Sequence, residues 1–279
     1  MSPVSTVLPD RALIAISGAD ASTWLQGLVT QTVPAVGSSA RVHSAFLTPQ
    51  GRVLGEMVII ALDDALVLDV DAAFGDALIP RLSLYKLRAQ VEIAARQGTV
   101  TVGWGGPPPP GAFTDPRLAA LGWRALSPSE GPGGATPVDY ARHRRALGVA
   151  EIAADGLADR VYAVEANFDL LNGVDFHKGC FIGQETTSRM YRRGGAKSRI
   201  LPFVDPSDAA PGDEILLGEL RAGEVVANAD GAGLALMRLD RSTGALTVRG
   251  RPLVLSPPSW MAAVWPNSSQ GFGVDLGAE

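Results

Sequence analysis

One cysteine among 279 residues cannot close a disulfide within the chain, and with only three histidines beside it a cysteine-based zinc site is excluded as well. No apolar run approaches the roughly 20 residues needed to cross a bilayer, and the run Ala12–Ser17 is far too short. The N-terminus shows no basic stretch leading into a long apolar core. Together these absences predict a cytosolic protein that makes no membrane contact. No GxGxxG pattern follows the first apolar run, so a dinucleotide fold has no support. Basic residues are outnumbered, 24 against 29, leaving a net charge of −5. That balance excludes a surface coated for wrapping nucleic acid but leaves room for a local basic pocket.

What is present is a folded, mostly apolar chain, 46% hydrophobic and 19% charged. Ala12–Ser17 reads as a buried strand. Asp20 or Ser22 is placed to cap a helix whose Trp24, Leu25, Leu28 and Val29 share one face, ending near Thr30. Two strands, Arg41–Leu47 and Arg52–Ala61, flank the turn Thr48-Pro49-Gln50-Gly51. Further strands are expected over Leu66–Val70, Gln90–Ala95 and Thr99–Trp104, and a helix over Phe74–Leu84. This order is neither a strict βαβ alternation nor an all-β repeat, and it predicts an α+β layer structure.

Gly103–Gly111, with four consecutive prolines, and Ser127–Pro137 read as surface loops. The patterns leave Pro116–Leu126 unresolved. Val138–Leu147 reads as a helix closed by Gly148, with a basic flank of Arg142, His143, Arg144 and Arg145 that suits either a solvated face or a binding face. Asn167–Leu171 reads as a short helical piece. Beyond Lys197, short strands at Ser198–Val204, Glu214–Leu217, Gly223–Ala229, Gly233–Leu239 and Pro252–Leu255 alternate with turn signals, predicting a small β-barrel or sandwich of about 80 residues. The last dozen residues read as a frayed end.

The candidate site is Phe176-His177-Lys178-Gly179-Cys180-Phe181-Ile182-Gly183-Gln184-Glu185. Cys180 lies between two glycines and just ahead of a predicted helix, Gln184–Tyr191. Six cations fall between positions 178 and 199, namely Lys178, Arg189, Arg192, Arg193, Lys197 and Arg199, against one acid, Glu185. A thiol near cations and a helix start can be ionised and reached, and such a cluster in an acidic chain points to an anion or an activated thiolate. The competing reading is a small buried hydrophobe. Glu185 and Arg189, four apart, also pair along a helix for only ~0.2–0.5 kcal/mol. A cysteine hydrolase needs a histidine beside the sulfur; His177 is too close in sequence to align well, which leaves His43 and His143. His177 and Cys180 alone are too few ligands for a closed metal site, so no metal is expected.

The run Lys178-Gly179-Cys180-Phe181-Ile182-Gly183-Gln184-Glu185, with Arg189 and Gly194, resembles the K-G-C-[FY]-x-G-Q-E signature of the YgfZ-type folate-binding proteins. These are iron–sulfur cluster assembly factors related to the aminomethyltransferase (T-protein) of the glycine cleavage system. Weaker likeness extends over Ile16–Asp20, Leu25–Thr30, Thr48–Arg52 and Gly233–Arg238. The resemblance implies a GcvT-like portion over 1–197, built of two intertwined α+β lobes of roughly 1–104 and 112–197, followed by a β-barrel domain over 198–279. It implies tetrahydrofolate, or a derivative, in a central opening, and a role in maturing or repairing [4Fe-4S] enzymes, among them radical enzymes that modify tRNA. Iron–sulfur assembly proteins and [4Fe-4S] clients would be the partners, without direct nucleic-acid binding.

On that resemblance Cys180 is the working thiol, Lys178 supports its charge, and Glu185 and Gln184 orient the loop. Tyr140 and Arg11 are the nearest positions to the pterin-stacking aromatics, and Arg189 belongs to the basic cluster that would hold the folate's glutamate carboxylates. The T-protein relatives carry paired aspartates after the hairpin glycine. Here Gly55 and Glu56 stand there instead, so Glu56 is the one candidate acid and aminomethyl transfer is the alternative function.

Overall fold

In a computed structural model the described residues are 2–126, 133–193, 195–204, 208–229 and 231–265. The first half contains β1 (Val4–Leu8), β2 (Arg11–Ser17), α1 (Ala21–Gln26), β3 (Arg41–Leu47), β4 (Val53–Ala61), β5 (Leu66–Asp71), α2 (Ala72–Leu84), β6 (Glu92–Arg96) and β7 (Val100–Trp104). Then come β8 (Phe113–Thr114), β9 (Trp123–Ala125), α3 (Pro137–Ala146) and α4 (Gln184–Arg192). The remainder is β10 (Ser198–Val204), β11 (Glu214–Leu217), β12 (Leu220–Ala229), β13 (Ala232–Arg238), β14 (Leu246–Val248) and β15 (Arg251–Leu255).

Five strands form an antiparallel sheet in the order β3-β4-β5-β2-β6, and alternation along them sets its two faces. Ile14, Ile16, Met57, Ile59, Leu66, Leu68 and Val70 point to one face, which α1 and α2 cover with Leu25, Leu78 and Leu82. Leu13, Val58, Ile60 and Val67 point to the other, against Val100, Val102 and Trp104 of a second sheet, β1-β7-β9-β8, and against Tyr140 of α3. The third unit is a closed barrel, β10-β13-β12-β11-β14-β15, filled by Leu201, Phe203, Ile215, Val225, Met237 and Val248. This is the α+β arrangement with a C-terminal barrel that the patterning predicts.

Local chemistry explains the helix ends. Asp71 caps α2 by accepting the Ala73 and Phe74 amides, and Thr136 with Asp139 forms a reciprocal capping box at α3. Asp20 stands at the start of α1 without capping it; its carboxylate instead accepts the Gln90 amide at 2.7 Å, and the helix runs only six residues. The expected helix at Asn167–Leu171 is a turn, because Asn167 adopts φ +63° and the chain closes back through Leu170 and Leu171 amides onto the Asn167 carbonyl.

Between α3 and α4 the chain has no regular element, yet it forms core. Ile152, Leu157, Val161, Ala163, Phe168, Val174 and Phe181 join Leu47 and Val53 of the first sheet to Ile200, Val226 and Leu234 of the barrel in one apolar cluster. Asp159, Asn167 and Asn172, all at positive φ, supply the turns that keep this segment from becoming a helix. Part of the predicted loop Ser127–Pro137 and the predicted frayed end lie outside the described residues.

Candidate functional site

Cys180 is exposed, at the crest of a strap whose upstream flank is fixed to the connection between α1 and β3 and whose downstream flank is fixed to the β3–β4 turn. On the upstream side the Thr30 hydroxyl donates to the Gly173 carbonyl at 2.5 Å, Gln31 Nε2 donates to the Asn172 carbonyl at 2.7 Å, and the Thr32 hydroxyl donates to Asp175. Lys178 Nζ donates to the carbonyls of Val29 and Gln31 at 2.8 and 2.7 Å. Downstream, buried Phe181 anchors the strap in the central cluster, and Ile182 packs on the helix-covered core. Gly183 then takes φ +79° and presses against the Thr48–Gly51 turn so closely that a Cβ would lie 2.6 Å from the Thr48 carbonyl oxygen. Only glycine meets both demands. Phe176 stacks on Tyr191 of α4 with centroids 3.8 Å apart, which closes the strap against the helix.

The predicted collar of cations is only partly gathered around the thiol. Lys178 is held by backbone carbonyls, with its ammonium shifted down to about 8 by burial, Asp175 acting in the opposite sense. Arg199, on the barrel's first strand, is buried and paired with Asp169. Arg189 pairs with Glu185 across one exposed helical turn, which leaves Arg192, Arg193 and Lys197 as exposed cations near α4. Gln184 is half-buried at the helix start. Neither distant histidine is available as a base: His43 is stacked on Phe168 with Nδ1 donating to the Leu171 carbonyl, and His143 lies against Trp104 and the Ala120 carbonyl.

Arg11, Glu56 and Tyr140 come together elsewhere, inside a buried ionic network that the sequence patterns did not reveal. On the inner face of the five-stranded sheet, Arg11 donates to Asp69 at 2.6 Å, and Asp69 also takes Arg124 at 2.6 Å. Arg124 continues to Asp115, Asp115 to Arg117, Arg117 to Glu151, Glu151 to Arg144, and Arg144 with Arg145 to Asp155. Tyr140, 2% exposed, accepts from Arg117 at 2.7 Å and from Arg124 at 3.3 Å. The neighbouring guanidiniums hold Asp115 and Glu151 far below the usual carboxylate range despite burial. Thus Arg144 of the basic flank belongs to the interior.

Glu56 differs from those carboxylates. It is 6% exposed and accepts the Ile152 amide at 2.7 Å, yet burial, reinforced by Glu151, raises it to about 7. His43, two positions from Ala45, which pairs with Glu56, shares its sheet face; burial, with Arg117, lowers it to about 4, and its Nε2 has no partner. The available signal for this network was a charge at an inward strand position: Glu56 within Val53–Ala61, Asp69 within Leu66–Val70, and Arg124 between Trp123 and Ala125.

Fold and site together define a protein of aminomethyltransferase-like architecture that presents one accessible thiol on a strap braced against its first sheet. A search of solved structures finds this architecture in the glycine cleavage system aminomethyltransferase T of Bartonella henselae, with a TM-score of 0.72 over 92% of this chain and 85% of that one; at 13% identity the likeness is one of fold alone. Residues 197–263 match the model of the CAF17 C-terminal beta-barrel domain. Over its length the chain is 32% identical to the mitochondrial iron–sulfur cluster assembly factor IBA57 of Homo sapiens, covering 94% of this chain and 85% of that protein. It is 28% identical to the mouse protein, covering 94% and 86%, and 36% identical to the Pyricularia oryzae homologue, covering 71% and 57%. The chain belongs to the family of IBA57-type iron–sulfur cluster assembly factors.

These relatives overturn the cytosolic expectation, because the human, Pyricularia oryzae and Neurospora crassa proteins are each named mitochondrial. The inference failed for a physical reason: a single free cysteine signals a reducing compartment, and more than one compartment is reducing.

Proposed function

We infer that this chain is an accessory factor in the assembly or repair of [4Fe-4S] proteins and that it works through Cys180. The observation that carries the reading is the exposure of the chain's one sulfur on a strap fixed at both flanks. Buried cysteines are the rule, and a thiol held out to solvent by so many contacts suits exchange with another molecule. An iron–sulfur cluster is cargo here. A cluster usually takes four thiolates and this chain has one, and among the described residues no three His, Cys, Asp or Glu side chains are grouped to hold a metal. The remaining ligands come from a partner chain or from glutathione. Clients that include tRNA-modifying radical enzymes, as in YgfZ-type proteins, belong to the same proposal.

Tetrahydrofolate enters the proposal in a narrowed form. Arg11 and Tyr140 do not fit as direct contacts, since both are buried and their polar atoms are engaged by Asp69, Arg117 and Arg124. Glu56 is as buried as they are, 6% exposed with one oxygen taken by the Ile152 amide, but its other oxygen has no side-chain partner among the described residues and its carboxyl is raised to about 7, so once reached it could both donate and accept. When bound, the folate supplies a carrier for a one-carbon unit. The same acid is what a tetrahydrofolate-dependent aminomethyl transferase would need for proton transfer, and that second reading rests on it.

In a strain lacking this gene, Cys180→Ala is expected to abolish recovery of [4Fe-4S] enzyme activity while the folded protein accumulates normally. Full recovery by that variant refutes the role of the thiol. Equilibrium binding of tetrahydrofolate to wild type and Glu56→Gln tests the ligand. Turnover of an aminomethyl donor that is lost in Glu56→Gln but kept in Cys180→Ala favours the transferase.

A further inference from the structure

The two most exposed large hydrophobic side chains among the described residues are neighbours in one loop. Leu87 is 90% and Leu84 is 76% exposed, at the end of α2, with half-open Tyr85 between them. Leu87 also holds φ +43°, a left-handed conformation that a bulky residue adopts only at a cost. The loop is nonetheless firmly seated. Trp24 Nε1 donates to the Tyr85 carbonyl at 2.9 Å, and the Tyr85 ring meets Phe46 edge-on at 6.2 Å. Among the described residues nothing covers the leucines, and the seating holds them outward.

Along this stretch of chain the charge has one sign. Arg81, Lys86 and Arg88 are exposed and form no ion pair among the described residues, and no acid occurs from 77 to 91 in a chain of net charge −5. The loop is tied to the cysteine strap through the core: Phe46, which meets Tyr85, bridges to Val29, and the Val29 carbonyl accepts Lys178. Ile182 and Trp24 pack on one apolar cluster. Exposed Tyr191, Arg192 and Arg193 lie at the far flank of that strap.

We propose that the Leu84–Arg88 loop is a docking finger for the acidic protein that meets Cys180, its leucines entering an apolar pocket and its cations facing carboxylates on that partner. This rests on the cluster-assembly reading above and adds the second point of contact. A leucine pair alone would fit many surfaces. The acid-free stretch selects a negative one, and the packed link through Phe46 and Val29 to the strap selects the molecule already engaged at the thiol.

The test uses the full chain in the strain lacking its own copy. A photoreactive phenylalanine analogue is placed at position 87, 191 or, on the barrel, 254. Positions 87 and 191 are expected to capture the same protein, acidic and itself an iron–sulfur assembly component, and position 254 to miss it. Leu87→Asp and the pair Lys86→Glu, Arg88→Glu are expected to reduce [4Fe-4S] enzyme activity by about tenfold, the scale of losing an interface hot spot. Their melting temperatures stay unchanged, because the sites are exposed. The proposal is overturned if these variants retain full activity while Cys180→Ala does not; the thiol reading then survives alone. It is equally overturned if position 87 captures lipid and Leu87→Asp merely abolishes co-sedimentation with anionic phospholipid vesicles, which would make the finger a membrane contact.

Discussion

Glu56 and His43 titrate against each other, and removing either should expose the other in the pH dependence of stability. Glu56 moves from 4.5 to about 7 on folding, so its stabilising contribution is complete below pH 4.5 and is lost as the pH climbs through about 7. His43 moves from 6.5 to about 4, so its contribution is complete above pH 6.5 and is lost as the pH falls through about 4. Each displacement corresponds to about 3 kcal/mol, at about 1.4 kcal/mol per pH unit. Between pH 4.5 and 6.5 the two slopes have opposite sign and nearly cancel in the wild type. The arginine-paired carboxylates titrate below this window, and the shifts of Glu165 and His143 are common to wild type and variant and drop out of the difference. Glu56→Gln keeps an acceptor for the Ile152 amide but removes the proton. Relative to wild type it should gain about 3 kcal/mol between pH 4.5 and 7, a rise of about 6–12 °C in melting temperature for a chain of this size. His43→Phe keeps a ring against Phe168, and its difference from wild type should run the other way, most favourable near pH 4. Melting temperatures at half-unit steps from pH 4 to 8 provide the assay. A Glu56→Gln difference that stays flat within about 1 kcal/mol would refute the assignment of that carboxyl as a buried, proton-holding group.

Two further outcomes follow from the geometry. Arg124→Met leaves Asp69 with Arg11 and Asp115 with Arg117, so it should cost about 3 kcal/mol, the low end for a broken buried pair. A loss below about 1 kcal/mol in denaturant unfolding would show that the network contributes little. Gly183→Ala should force the strap off the Thr48–Gly51 turn, at a cost of about 2 kcal/mol or more. Its signature is faster alkylation of Cys180 than in wild type, and an unaltered rate would show that the apposition does not fix the thiol.

The fold could be read wherever a short-period pattern encodes it. Short apolar runs and the turn signals between them marked β2 to β7, and turn dipeptides marked most barrel strands. β1, β8, β9 and β14 escaped because none stands out as an apolar run, and each owes its existence to its partners, β1 pairing with β7, β9 with β7 and β8, and β14 with β11 and β15. The segment from Val149 to Gly183 escaped because it buries apolar side chains with no period at all. At the site, the motif located Cys180 and its exposure but misjudged its surroundings, since Lys178 and Arg199 turn away to carbonyls and to Asp169. The interior network was invisible for a related reason. Arg11 meets Asp69 across 58 residues and Arg117 meets Glu151 across 34, and no local rule connects them.

The barrel's first strand is sewn to the irregular segment. The Ile200 amide donates to the Glu165 carbonyl, Asn167 donates to the Ile200 carbonyl, and Arg199 spans Val164 and Asp169, while Trp260 reaches the Leu147 carbonyl. The crest bearing the sulfur is thus mounted on a frame clamped at one end by the barrel and at the other by the first sheet. On the proposed reading, a visiting molecule that seats itself on either body would find the thiol at a preset reach and angle, so a handover would depend on how the visitor lands and would need no rearrangement of its host.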